Sequence, residues 1–468
     1  MTGNLSFREL VIQAIYLASS VFFILGLRGL SGPEKARAGM AQAAIGMLLA
    51  IVGTLLHADI VRYDWIVAGL LLGGFIGVVI GRPLFISVPM TAMPQWVALS
   101  HAAGAVAATL VGANEYHLLG AAASPRTMAA LGFEVLLGAL TVTGSVMAFG
   151  KLQEILPGRP VTWPHQNTLN LGLCALSLGL LVTAALFPGQ SWAFRTMAVI
   201  AGGLGVLMVL PIGGADMPVV ISLLNAYAGL SASAMGFALD NNLLMIVGAL
   251  DGASGFLLSI LMCRAMNRSF ANVLFGAFGT LAPSAGALGE GQEMRAVSPE
   301  DAAVRLAYAN LVIVVPGYGL AVAQAQHALR ELTELLEKRG VEVKYAVHPV
   351  AGRMPGHMNV LLAEANIPYE KLYDMDEINP EFDLADVALV IGANDVVNPA
   401  ARSDPGSPIY GMPILNVDHA RSAIVMKRGK GVGFAGIENA LFVHSKTWML
   451  FGDAKSSLTR LVTELKAL

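Results

Sequence analysis

The sequence predicts a polytopic α-helical membrane bundle of about nine spans, followed by an α/β Rossmann-like domain with a parallel sheet. Three observations predict it. Nine long apolar stretches fill the first 265 residues, each near the ~20 residues that cross a bilayer. Charged residues make up 13% of the chain, about half of the ~25% usual in soluble domains, and just 14 of them lie from Asp59 to Asp251. The C-terminal part then alternates strand-like runs with helical patterns, opening on Val314-Val315-Pro316-Gly317-Tyr318-Gly319.

The spans fall at roughly 6–27, 38–57, 64–81, 93–112, 127–149, 168–187, 194–212, 217–238 and 242–263. The third is short. Gly73-Gly74, Gly202-Gly203 and Ser231-Ala232-Ser233-Ala234 recur inside them, and small residues let helix backbones approach in lipid. The first apolar run has no signal-peptide cleavage site and reads as a retained span. With the C-terminal domain cytoplasmic, inside loops hold Arg28, Lys35, Arg37, Arg82, Lys151 and Arg159, with Arg264 and Arg268 after the last span. Outside segments hold Arg8, Arg62, Arg126 and Arg195. Eight cations against four favours that orientation. Cys174 and Cys263 lie in apolar stretches, so neither a disulfide nor a cysteine metal site is expected. The net charge of -3 argues against nucleic acid as a partner.

Residues 266–305 read as a linker rich in Gly, Ala and Ser between a membrane domain, 1–265, and a nucleotide-binding domain, 306–468. Strands are expected at Leu311–Val315, Val341–Val347, Val387–Ile391, Pro413–Val417 and Ala423–Met426, with a helical pattern at Ala321–Lys338. Such alternation implies a parallel sheet covered on both faces.

Gly317 and Gly319 suit a dinucleotide pyrophosphate turn at the positive end of the following helix. Val322 replaces the third glycine of that fingerprint, and a packing turn is the rival reading. The strand ending at Val347 lacks the acid that holds a ribose 2′-hydroxyl in NAD sites; His348 to His357 carries Arg353 instead. Cations there suit a phosphate, while an incidental solvated loop is the plainer alternative. Gly392-Ala393-Asn394-Asp395 follows a buried strand at the carboxyl edge of the sheet. Lys427-Arg428-Gly429-Lys430 follows another, either gripping a 2′-phosphate or forming a wet surface turn.

These motifs, with Gly213-Gly214-Ala215-Asp216-Met217-Pro218 and Cys263-Arg264-Ala265-Met266-Asn267-Arg268, resemble the beta subunit of the proton-translocating nicotinamide nucleotide transhydrogenases over nearly the whole chain. The resemblance implies an enzyme subunit that binds NADP(H) in its C-terminal domain. An alpha subunit would hold NAD(H), and hydride would pass between the nicotinamides as protons cross the membrane. It implies a dimer of the alpha–beta unit in a bacterial inner membrane, with the bilayer as the further partner and the C-terminal domain cytoplasmic. By position, Gly317, Tyr318, Gly319 and Val322 belong to the pyrophosphate turn, and Arg353, Gly392 and Asn394 line the same site. Lys427 and Arg428 grip the 2′-phosphate, and Asp395 links protonation to cofactor binding. Gly429 stands where the family commonly has serine, and Phe434 where it commonly has tyrosine, so a hydroxyl contact at each is in doubt.

An ionisable side chain within a span is costly and marks function by default. His101, about eight residues into the fourth span, can exchange a proton near neutral pH; a hydrogen-bonded structural histidine is the rival. The resemblance adds Asn225 as a polar position on the proton route, able to order water or bond His101. It also adds Asp216 at the inner mouth. Asp251 and Glu134 receive no assignment from it. A transporter or channel regulated by a nucleotide domain would call for a filter element of the TVGYG type, which the sequence lacks. A membrane-anchored dehydrogenase would need a substrate domain for which roughly 160 residues leave little room.

Overall fold

The computed structural model describes residues 7–30, 33–57, 60–75, 78, 92–157, 160–213, 216–267, 269–275, 294–354, 356–407, 409–429, 431, 433 and 435–468. Arg82, Arg159, Arg268 and Lys430, the end of the third expected span, and 276–293 within the expected linker lie outside them.

Nine apolar helices are described in the N-terminal part: α1 (Phe7–Leu30), α2 (Pro33–Leu55), α3 (Tyr63–Phe75), α4 (Met93–Leu119), α5 (Pro125–Leu152), α6 (Gln166–Leu186), α7 (Ser191–Val209), α8 (Met217–Ala238) and α9 (Asn242–Ala265). Eight are long and apolar enough to cross a membrane; α3, at 13 residues, is shorter. The interior belongs to α5 and α8, the most buried of them. Exposed Leu, Ile and Val side chains cover α1, α2 and α3, as expected where the neighbour is lipid or another apolar helix. Small residues let helices approach closely: a Cβ on Gly229 of α8 would lie 2.4 Å from the Gly252 nitrogen of α9. The two backbones therefore touch, which maximises dispersion contacts where lipid removes the hydrophobic drive.

A short helix, α10 (Phe270–Phe275), follows, then α11 (Pro299–Ala307). Ser298 caps α11 by accepting the Asp301 N–H at 3.1 Å. Although it begins in the segment read as linker, α11 contributes Ala302, Ala303 and Leu306 to the core of the C-terminal sheet, and Ala296 bridges Met449 in parallel.

The sheet is six-stranded and parallel, ordered β3-β2-β1-β4-β5-β6. Its strands are β1 (Leu311–Pro316), β2 (Glu342–Val347), β3 (Leu372–Asp374), β4 (Val387–Ile391), β5 (Ser422–Lys427) and β6 (Thr447–Phe451). Alternation in β1 explains the two cores. Val312 and Val314 meet Leu329, Leu332, Leu336 and Leu458 on one face, while Ile313 and Val315 meet Phe382 and Phe442 on the other. Each such side chain, fully buried, contributes ~1.5–3 kcal/mol.

Three expectations are corrected. Pro413–Val417 is not a strand: Pro413 has no N–H for a ladder, and the Leu415 N–H instead reaches the Val396 carbonyl at 3.0 Å. Strands β3 and β6 were not expected; β3 has three residues, and short apolar runs such as β6 do not reveal their type by periodicity. The helical pattern Ala321–Lys338 is two helices, α12 (Tyr318–Val322) and α13 (Gln326–Lys338), parted at Gln324, whose φ is 51°.

Candidate functional site

Chain connections diverge between β1 and β4, because β2 lies on one side of β1 and β5 on the far side of β4. A crevice forms beyond the carboxyl ends of strands at such a point. Two expected loops meet there, Gly317–Gly319 after β1 and Gly392–Asp395 after β4. A Cβ on Gly317 would sit 2.4 Å from the Gly392 carbonyl oxygen, and one on Gly319 would sit 2.6 Å from the Gly392 Cα. Gly392 itself has φ 66°, a left-handed conformation cheap only for glycine. The Gly319 N–H donates to the Gly392 carbonyl at 3.0 Å, and the Gly317 N–H to that of Ile391 at 2.9 Å. These glycines thus dock one loop on the other. The packing reading and the ligand reading hold together, since the docked loops form one wall of a cavity. The helix at the turn has just five residues, so the dipole expected to favour a phosphate is short.

The cavity measures about 650 Å³ and is bounded on one side by Gly317, Tyr318, Gly319 and Gly392 to Asp395. The ends of membrane helices close the other side, with Lys151, Leu152, Glu154 and Asp216. Arg353 joins the two. Its guanidinium donates to the Leu152 carbonyl at 3.1 Å, lies 3.4 Å from a Glu154 carboxylate oxygen, and stacks 4.6 Å from the centre of the Tyr318 ring. Burial pushes the Tyr318 hydroxyl up, the Arg353 charge opposing it.

Asp216 is 2% exposed and precedes α8, whose Val219 and Val220 N–H groups bond its carbonyl. Lys151 is buried opposite and donates to the Ile212 carbonyl at 2.8 Å and to that of Leu210. Asp395 accepts the Ala435 N–H at 2.9 Å. A Cβ on Gly433 would collide with the Asp395 and Asn394 side chains, so the loop after β5 lies directly over them. Asn439 holds Asn394 through its carbonyl, at 2.9 Å, and its side-chain oxygen, at 3.0 Å.

Lys427 ends β5, donates to the Gly431 carbonyl and lies 4.6 Å from the centre of the Phe442 ring. Burial lowers its ammonium pKa, and the Asp395 charge opposes that shift. Arg428 beside it is exposed. Both stand outside the cavity lining, as does Val322, which is 45% exposed. Phe434 lies outside the described residues. In the bundle, His101, Asn225 and Asp251 come together on α4, α8 and α9. Asn225 Nδ2 donates to Asp251 Oδ1 at 3.1 Å, where the sequence had offered water or His101.

Sequence reasoning missed Lys151, Leu152 and Glu154 as cavity residues. A lysine just past the expected end of a span was the available signal; which loop it meets depends on how the two halves pack.

Apolar helices carrying a switch-point crevice at their ends define a membrane protein with a dinucleotide-binding type of domain. A family model described as NAD(P) transhydrogenase beta subunit matches residues 12–464. NAD(P) transhydrogenase subunit beta of Rhodospirillum rubrum is 50% identical over 460 residues, 96% of this chain and 98% of the relative. The same values hold for the sequence from a named strain of that species. The chain belongs to the NAD(P) transhydrogenase beta subunit family. It is an enzyme subunit, with an alpha subunit as partner and nicotinamide nucleotides as cofactors, and the family's role is to couple NADP binding to proton translocation.

Proposed function

We propose that NADP(H) binds across the switch point of this chain, and that NAD(H) is held by the alpha subunit. The carrying observation is the shared cavity: the glycine loops and Asp395 face the same space as Asp216 at the end of α8. The residues fit a dinucleotide. Gly317, Gly319 and Gly392 line the crevice, and Lys427 and Arg428 stand at the carboxyl end of β5, one strand beyond β4, where a 2′-phosphate would need cations. When bound, NADP(H) gives or takes the hydride. The chain's own residues orient it, Tyr318 and Asn394 from the wall of docked loops and Arg353 from the segment that joins that wall to the helix ends. Direct exchange between two held cofactors needs positioning rather than a catalytic acid or base.

Protons would cross residues 1–265 by way of His101 and Asn225 and reach the nucleotide domain, residues 306–468, through Asp216 and Asp395. Residues 266–305 join the two. We place the C-terminal domain in the cytoplasm of a bacterial cell, the bundle in the inner membrane, and two alpha–beta units in the complex. Calorimetric titration of the intact chain in detergent tests the cofactor assignment. NADP+ should bind in preference to NAD+, and Lys427→Ala or Arg428→Ala should each weaken NADP+ by ~10–100-fold, as charge-assisted bonds contribute ~1.5–3 kcal/mol. Preference for NAD+, or indifference to both substitutions, would overturn it.

A further inference from the structure

Asp251 is an acid within α9 that the route through His101 and Asn225 does not use. It is the tenth of 24 residues in that helix, some ~14 Å from its start at 1.5 Å per residue. His101 and Asn225 each lie eight residues past the start of their own helices, and the Asn225 hydrogen bond brings Asp251, on the antiparallel α9, to the level of Asn225. Three helices thus bring an imidazole, an amide and a carboxyl to one level of the bundle.

We propose that Asp251 is a second proton-carrying side chain of this subunit, exchanging a proton with His101 across Asn225; this rests on the proposed route through His101. Asn225 holds one carboxyl oxygen at 3.1 Å, which fixes Asp251 in orientation while its other oxygen stays able to take a proton. His101 Nδ1 is enclosed and has no hydrogen-bond partner among the described residues, so that nitrogen is not committed to a structural bond. The helix that carries His101, α4, packs on α8, which carries Asn225. The elements packed on α9 carry Tyr227 on α8 and Arg8, Glu9, Tyr16 and Arg28 on α1, with none on α10.

The step balances as a single proton transfer. An imidazolium facing a carboxylate loses its proton and the carboxylate gains it, leaving two neutral groups. Neutralisation suits Asp251, which is exposed on the flank of the bundle, because an ionised carboxylate at mid-span costs several kcal/mol. Onward release from Asp251 restores the carboxylate, and uptake of a fresh proton by His101 returns the pair to its starting charge. The amide of Asn225 carries no proton itself; it aligns the acceptor.

The test uses the complete alpha–beta complex in sealed vesicles, reading proton movement per hydride, the pH profile of coupled turnover, and NADP+ affinity. Asp251→Asn should lower proton-coupled turnover at least about tenfold, as loss of a positioned proton-transfer group does. It should also shift the pH profile and leave NADP+ affinity within about twofold. Asp251→Glu should recover at least about half of the turnover. Asp251→Asn added to His101→Asn should cost nothing further, because the two groups act in series. Pumping by Asp251→Asn at the native pH profile, beside a blocked His101→Asn, would overturn this proposal alone. Normal pumping by His101→Asn would overturn the underlying route. A loss that Asp251→Glu does not recover would assign Asp251 a structural part and also overturn the proposal.

Discussion

His348 and His357 flank the loop that carries Arg353, and their protonation is built into the fold. His348 Nε2 donates to the Pro413 carbonyl at 2.8 Å, and its Nδ1 accepts the Val350 N–H at 3.3 Å, which fixes the neutral tautomer with its proton on Nε2. His357 Nδ1 accepts the Arg353 N–H at 3.0 Å. Burial pushes both rings down to about 4, and the Arg353 charge adds to the effect at His357. An unfolded histidine titrates near 6.5. As pH falls from there towards 4, the unfolded chain takes up protons that the folded one refuses. Stability present above pH 6.5 is therefore lost below it, by up to ~1.4 kcal/mol per pH unit for each histidine. In scanning calorimetry the transition of the C-terminal domain should move to lower temperature across this window, and His348→Gln should flatten the dependence. A midpoint that is constant from pH 6.5 to 4.5 would contradict the assignment.

At the scale of elements, α8 and α9 meet backbone to backbone at Gly229 and Gly252. Asn241 accepts the Leu244 N–H at 3.1 Å and caps α9 just after α8 ends, so the hairpin holds the register that sets Gly229 on Gly252. Val in place of Gly229 would push one backbone off the other, and overpacking of this kind costs ~1–3 kcal/mol. That change should also move Asn225 away from Asp251. Gly229→Val is expected to lose most proton-coupled turnover and to shorten the lifetime of the protein in detergent. Gly203→Ala in α7, where a Cβ meets nothing within 4 Å, should match the parent in both assays. Equal behaviour of the two variants would show that the close approach has no functional weight.

Across the whole molecule, the crevice belongs to neither half alone. Arg353 comes from the loop after β2, yet its hydrogen bonds go to the end of α5, and Asn267 beyond α9 donates to the Tyr410 carbonyl at 3.2 Å. The Arg353–Glu154 pair is weak support: Glu154 is 77% exposed, and exposed pairs contribute ~0–1 kcal/mol. The bond to the Leu152 carbonyl and the stack on Tyr318 lie in the cavity and matter more. Glu154→Gln should therefore change coupled turnover by less than about twofold, whereas Arg353→Ala should lower it at least about tenfold. Steady-state assays of the alpha–beta complex in vesicles would separate the two, and equal effects would place the weight on the ion pair instead.

Hydropathy and glycine placement are properties of consecutive residues, so the sequence by itself determined the apolar helices, the parallel sheet and both glycine loops at its carboxyl edge. Tertiary structure alone decided the rest, because each remaining feature depends on residues far apart in the chain. Pro413–Val417 reads as a strand until its N–H groups are found bonded elsewhere, and β6 reads as nothing until it lies beside β5. Gly319 resembles a pyrophosphate glycine, yet its missing Cβ makes room for Gly392, 73 residues later. Lys151 and Glu154 read as loop charges until the two halves close on them. Asn225 was offered water or His101 as a partner, and its choice of Asp251 follows from the contact of two helix backbones at Gly229 and Gly252.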